Sequence, residues 1–248
     1  MQLTATANLP KTSYPADDAF RLLLAAVIGP PGAGKSTLVA DLARIAGVPV
    51  FRLRQQVRAR PELLAGLAPN PDPLGWVSLE AVRRVLHAVF VNSRFAFGSR
   101  VVLLDNFPGT AAQLELLAET ASRTNARVAL LQLHANTPTV VTRVAERRVC
   151  LACGPDQHSP AVHADHDPER CAFCGAALVR RETDAPRLHE LRLARYLANL
   201  PEITECAAEQ GIPHLTVDAD ADLTEVCRAA RRALHHLLQS ADPSGSRP

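Results

Sequence analysis

Lysine is almost missing from this chain. Of 27 basic side chains only Lys11 and Lys35 are lysine; the rest are arginine. No excess of either charge sign exists: the net charge is +2 over 248 residues, which removes the general grounds for binding nucleic acid or a membrane surface. Long apolar runs are missing too. The longest, Leu22–Ile28, is far short of the roughly 20 residues that a bilayer-spanning helix needs. The N-terminal stretch lacks a basic segment leading into an apolar core, and Asp17-Asp18 interrupts it. No signal peptide is therefore expected, and the expected location is the cytoplasm. There is no internal repeat. Six cysteines in such a chain favour metal or free thiols over disulfides. Residues 1–19 and 240–248 are mostly small and polar and read as disordered ends flanking a domain over 20–239.

What is present begins with Leu22-Leu-Leu-Ala-Ala-Val-Ile-Gly29-Pro-Pro-Gly-Ala-Gly-Lys-Ser-Thr37. A strand-length apolar run leads directly into G-x-x-x-x-G-K-[ST] and then into a helical pattern, the context that a phosphate-binding P-loop requires. Gly29, Gly32 and Gly34 let successive backbone N–H groups face one anion, and the helix N-terminus adds its partial positive charge there. Ala33 and Thr37 lie in the same loop. Lys35 would reach the β- and γ-phosphates, and Ser36 would offer its hydroxyl to Mg²⁺. In a chain that otherwise uses arginine, a lysine stands where phosphate chemistry favours a compact, mobile charge.

Apolar runs then alternate with helical patterns. Strands are expected at 22–28, 48–52, 100–105, 127–134 and 213–217. Helices are expected at 35–46, 52–60, 78–95, 110–124, 138–148, 184–197, 202–210 and 222–238. This alternation predicts an α/β fold of three layers, a parallel five-stranded sheet between helices. Two stretches break the rhythm, at 52–95 and at 150–175, and each reads as an insertion over the mouth of the sheet.

The second insertion carries Cys150-x-x-Cys153 and Cys171-x-x-Cys174. Two tight turns, each aiming two sulfurs at one point, suit a tetrahedral zinc whose four thiolates leave no open position, hence a structural one. A redox dithiol pair is the alternative. His158, His163 and His166 lie between the pairs and read as solvated. Cys206 and Cys227 fall on helices and read as core.

Asp105 ends the apolar run Val101-Val-Leu-Leu, where a carboxylate can serve Mg²⁺ or cap the next helix. Arginines flank the cysteine insertion: Arg143, Arg147 and Arg148 before it, Arg180, Arg181 and Arg192 after it. Such donors can converge on a migrating phosphoryl group.

In this order, the pieces resemble an adenylate kinase with a zinc-bearing lid, over about residues 22–235. The resemblance is carried by Gly29–Thr37, by Asp105-Asn-Phe-Pro-Gly-Thr110 with Gln113, and by the block from Arg143 through both cysteine pairs to Arg181, Asp184 and Arg192. It implies phosphoryl transfer from ATP to a nucleoside monophosphate, with magnesium and structural zinc as cofactors and nucleotides as partners. A monomer is expected. The acceptor segment would be 52–82 and the lid 144–181. Lys35, Arg147, Arg181 and Arg192 would be catalytic, and Arg143 and Arg147 would contact ATP. Arg58, Gln113, Arg181 and Arg192 would hold the acceptor, and Ser36 and Asp105 the magnesium.

The departures cluster on the acceptor side. Arg52-Leu53-Arg54-Gln55 stands where the family has Ser-Thr-Gly-Asp, and Gly109 where it has arginine; Thr183 replaces the first of two aspartates after the lid. Arg54, or else Arg52, is expected to supply the guanidinium that Gly109 lacks, unless both are simply solvated. Transfer to a different small molecule and non-catalytic ATP binding are the alternatives.

Overall fold

The computed structural model describes residues 22–68, 72–93, 98–153, 161–181 and 184–239. The readings for the two ends, for His158 and for Thr183 lie outside these residues.

Five parallel strands form the central sheet: β1 (Leu22–Ile28), β2 (Val50–Phe51), β3 (Val101–Asp105), β4 (Ala126–His134) and the last strand of the chain, His214–Asp218, in the order β2-β3-β1-β4-last. Their apolar runs are continuous because both faces are covered. In β1 the side chains divide with period two: Leu23, Ala25 and Val27 enter one core, Leu24, Ala26 and Ile28 the other. The first core is closed by α1 (Lys35–Ala46), α5 (Thr137–Glu146) and α7 (Leu223–Gln239). The second is closed by α3 (Leu79–Leu86), α4 (Ala111–Arg123) and α6 (Pro186–Glu209). The short α2 (Leu53–Ala59) follows β2.

After β1 the chain passes beyond β3 to make β2, returns for β3, and then crosses to β4 on the other side of β1. Strand order therefore switches direction at β1, and a crevice opens beyond its carboxyl end. The P-loop sits there. Gly32 has φ of 96°, and a Cβ on it would lie 2.7 Å from the Val140 carbonyl oxygen, so the turn admits no side chain.

Two expectations are corrected. The helices expected at 184–197 and 202–210 are one helix, α6, with Pro201 inside it. A proline removes one hydrogen bond, but Ile203, Cys206 and Ala207 beyond it still seal the core against α4, and packing outweighs the local break. The helix expected at 78–95 is α-helical only to Leu86 and continues as a π-helical turn, His87–Val91, which seats Val89 and Phe90 in the core. Within the cysteine insertion β5 (His163–Ala164) and β6 (Asp167–Cys171) pair as a small antiparallel sheet, with bridges from Val149 to Val179 and Arg170 to Ala177. The strand His214–Asp218 is thus β7. Cys206 and Cys227 are buried in the two cores as read. Among the described residues no helix is long and apolar enough to cross a membrane.

Candidate phosphoryl-transfer site

A cavity of about 730 Å³ opens over the P-loop. It is lined by Gly29, Gly32, Ala33, Gly34, Lys35, Ser36 and Thr37 from the loop. Arg54, Arg58, Asp105 and Gln113 line it from the sheet edge and the α2 segment, and Arg143, Arg147, Arg181 and Arg192 from α5, the insertion and α6. These fifteen residues, each singled out from the sequence, therefore meet in one place, within the size range of a small-molecule site.

Lys35 is buried at the start of α1, and its Nζ donates to the carbonyls of Gly29 and Pro30, 2.7 Å from each. Burial pushes its pKa down to about 7; Asp105 opposes that shift, and Arg192, Arg147 and Arg181 add to it. Asp105 ends β3 with Oδ1 accepting from Ser36 Oγ at 3.1 Å and Oδ2 accepting from Arg52 Nε at 2.9 Å. The strand-end carboxylate thus points into the loop rather than capping α4, whose N-cap is Thr110, bonded to the Gln113 N–H. Arg52 is half-buried against Asp105, whereas Arg54 is exposed and donates to the Leu74 carbonyl at 2.8 Å. Burial and the neighbouring Arg58 both lower the pKa of Arg54.

Asp184 organises the arginines. It accepts both a Nε bond at 2.6 Å and a Nη2 bond from Arg147, and lies 3.7 Å from Arg192. Its own side chain is 4% exposed and that of Arg147 16%. A bidentate pair fixes the guanidinium plane as well as its position. Replacing Asp184 with alanine leaves Arg147 and Arg192 without that shared counter-charge. The expected loss is about 2 kcal/mol of unfolding free energy, below the figure for a fully buried pair because Arg147 keeps some solvent. Urea denaturation checks it; an unchanged midpoint would show the pair to be idle.

Arg143 donates to the carbonyls of Ala219 (2.6 Å) and Ala221 (3.4 Å), which places it at the loop between β7 and α7. Sequence reasoning missed His189 of α6, whose buried ring Nε2 lies 3.2 Å from the Pro31 carbonyl and so carries the proton that braces the P-loop. It also missed Trp76, which lines the cavity beside Gly109. No local pattern marks either residue, because both contacts join distant segments.

Outside the cavity the four cysteines Cys150, Cys153, Cys171 and Cys174 gather with all Sγ atoms within 4.8 Å of one another. The nearest pairs are 3.2–3.5 Å apart. Sulfurs at about 2.3 Å from one ion in a tetrahedron suit this spacing, and an all-thiolate set suits zinc. Backbone N–H groups of Phe173 and Cys174 point at the Cys171 sulfur and lower its pKa to about 6, favouring the thiolate that a metal requires. His163 is exposed and bonds the Pro168 carbonyl, away from any such role.

A protein-family model described as an AAA domain matches residues 28–150. The chain is 25% identical over 217 residues to the adenylate kinase of Thermococcus onnurineus, covering 85% of this chain and 93% of that protein. It is 29% identical over 216 residues to the adenylate kinase of Streptomyces coelicolor, covering 84% and 96%. To the adenylate kinase of Kosmotoga olearia it is 26% identical over 216 residues, covering 85% and 98%.

Proposed function

Because the chain belongs to the adenylate kinase family and is a phosphotransferase, we propose that it moves the terminal phosphoryl group of ATP to a nucleoside monophosphate held beneath residues 52–82. The observation that carries this is the convergence of Lys35, Arg147, Arg181 and Arg192 on the P-loop, with Arg54 and Arg58 across the same cavity.

In this reading the protein does little covalent chemistry. The loop N–H groups and Lys35 cradle the phosphates of ATP, and Arg143 borders the nucleoside end. Arg147, Arg181 and Arg192 stabilise the charge that spreads over the migrating group. Ser36 and Asp105 offer two hard oxygen donors side by side, and they are the residues that would hold magnesium, which supplies charge neutralisation at the β- and γ-phosphates. Residues 144–181 act as a lid that excludes water, so that the acceptor and not water is phosphorylated. The four cysteines are the residues that would hold a zinc inside that lid, where its chemistry is purely structural.

Arg54 completes the acceptor site. Arg52 is engaged with Asp105, which leaves Arg54 beside Arg58 as the guanidinium that can serve the acceptor phosphate. Arg54→Ala is expected to raise the acceptor KM about tenfold or more and the ATP KM by far less, because it removes binding on one side only. Equal or negligible effects on both, with Arg58→Ala also silent, would mean that the acceptor is not a phosphate ester.

A second reading, transfer to another small molecule, draws on Trp76 standing beside Gly109 in the acceptor half. Isotope transfer from labelled ATP across a panel of nucleoside monophosphates and small alcohols separates the two. Label appearing only in the alcohols would favour the second, and no transfer at all would point to an ATP-binding protein without catalysis.

A further inference from the structure

Helix α6 serves both halves of the cavity. Arg192 stands with the arginines around the P-loop, and about a turn further on Arg195 and Asn199 reach the acceptor half. These two are four residues apart and share a face of the helix. Arg195 Nη1 donates to Asp72 Oδ2 at 2.6 Å, and its guanidinium lies over the Trp76 indole, 5.1 Å from the ring centroid. Asn199 Nδ2 donates to the Gly109 carbonyl at 2.9 Å. Asp72 divides its oxygens: Oδ2 takes the α6 arginine, and Oδ1 accepts from the Leu74 and Trp76 N–H groups at 2.8 and 3.4 Å. One carboxylate thus folds residues 72–76 and ties that fold to α6. A further tie comes from α2, where Arg54 donates to the Leu74 carbonyl at 2.8 Å.

Trp76 and Gly109 line the cavity; Asp72 and Arg195 do not. The ion pair therefore stands behind a wall of which the indole is the face. Gly109 is the matching half. A Cβ placed on it would lie 2.7 Å from Cη2 and 3.0 Å from Cζ3 of Trp76. Its φ is outside the left-handed region, so the indole, and not the backbone, is what requires glycine at this position.

We infer that Asp72, Trp76 and Arg195 latch the acceptor segment to α6, so that the acceptor meets a wall held by the protein's own contacts and set, through that helix, at a fixed distance from Arg192. The inference rests on the nucleoside monophosphate reading and adds to it how the acceptor side is kept in place. Asp72 and Arg195 are positioning residues: they hold Trp76 and its loop and do not touch the reacting groups. Each tie joins two groups of the chain, so the free energy that holds the segment is supplied by the protein. With the latch broken the acceptor has to supply it, and its apparent affinity falls by the fraction of molecules that keep the segment in place.

Trp76 is the only tryptophan of the chain, so intrinsic fluorescence reports on the latch alone. Acrylamide quenching of the full-length protein without nucleotide tests it. Arg195→Gln, Asp72→Asn and Gly109→Ala should each raise the quenching constant about threefold over wild type with the far-ultraviolet dichroism unchanged, because a freed indole swings toward solvent. Steady-state kinetics with adenosine, guanosine, cytidine and uridine monophosphates supply the second readout. For the nucleotide that is phosphorylated, the first two variants should raise the acceptor KM about tenfold and leave kcat and the ATP KM within about twofold, a split that a general loss of structure would not give. Gly109→Ala should raise the same KM, yet add nothing in a Trp76→Ala background, where the added methyl has no indole to displace. Equal quenching of wild type and all three variants would overturn the latch, as would an acceptor KM that does not respond to losing it. Quenching that follows the expected pattern in a protein that transfers phosphate to none of the four nucleotides would overturn the nucleoside monophosphate reading and, with it, the role given to the latch, while leaving the contact itself established.

Discussion

Lys35→Ala is expected to lower kcat by about a hundred- to a thousandfold while leaving the fold intact. The side chain carries no core packing. Its ammonium rests on two loop carbonyls, and its task begins where phosphate charge develops. It is also the one lysine in a cavity otherwise cationic through arginine. Burial holds its pKa near 7, so at neutral pH a fraction of the ligand-free protein carries it uncharged. A polyphosphate arriving beside it favours the ammonium, and ATP binding must then take up a proton above pH 7. ATP affinity should accordingly fall as pH rises beyond about 7, and calorimetry in buffers of different ionisation enthalpy should show proton uptake there. The stability of the ligand-free protein has the matching sign. Between pH 7 and 10.5 the unfolded chain holds the proton that the folded chain has lost, so this residue makes stability rise with pH across that window. Lys35→Met should therefore stabilise the ligand-free protein most below pH 7, with the gain fading toward pH 10.5. Activity of Lys35→Ala within a few-fold of wild type would remove the P-loop from the chemistry.

How far such conclusions could be reached from the sequence depended on the distance over which each signal acts. The P-loop and the five strands were legible because their cues are local: an apolar run, glycines that must turn, a helix start. The cysteine pairs were legible because two turns of fixed spacing are themselves local, and their meeting needs only one hairpin. The α6 helix was misread because Pro201 is a local break that a distant core overrides through Ile203, Cys206 and Ala207. Arg52 and Arg54 could be flagged by their departure from the family pattern, but not told apart. Only the placement of Asp105 at the end of β3, within reach of β2's successor, assigns Arg52 to the carboxylate. Asp184 stood out as a surviving acid after the lid, yet its grip on Arg147 and Arg192 needs three segments folded together. The absence of arginine at 109 was visible in the sequence as a gap. That an indole from residue 76 fills it was not, since 32 residues of sequence lie between them and no periodicity links the two.

Cys171→Ser is expected to take zinc content from about one ion per chain to near none and to loosen the lid without unfolding the sheet. Among its described residues the cysteine insertion has little else to hold it. Leu151 is 58% exposed and Phe173 79%, so apolar burial contributes little there. Its backbone pairing is a short β5–β6 ladder with the Val149–Val179 and Arg170–Ala177 bridges. A few strand hydrogen bonds without an apolar core make a hairpin only marginally stable in water. In such a unit the free energy of metal binding is folding free energy, and losing one of four thiolates leaves an incomplete tetrahedron. Cys171 is the informative position because it is buried and its sulfur receives two backbone N–H groups; a serine hydroxyl there cannot supply the thiolate those groups favour. Hydrogen exchange should accelerate through residues 148–181 while β1, β3 and β4 keep their protection, because the two cores that bury those strands include none of the insertion's described residues. Phosphoryl transfer should fall, since Arg147 and Arg181 lie at the two ends of the insertion and line the P-loop cavity. Elemental analysis of wild-type protein purified without chelators decides the premise: no zinc in it would reassign the cysteines to thiol chemistry. Zinc present but unchanged in Cys171→Ser would place the ion elsewhere.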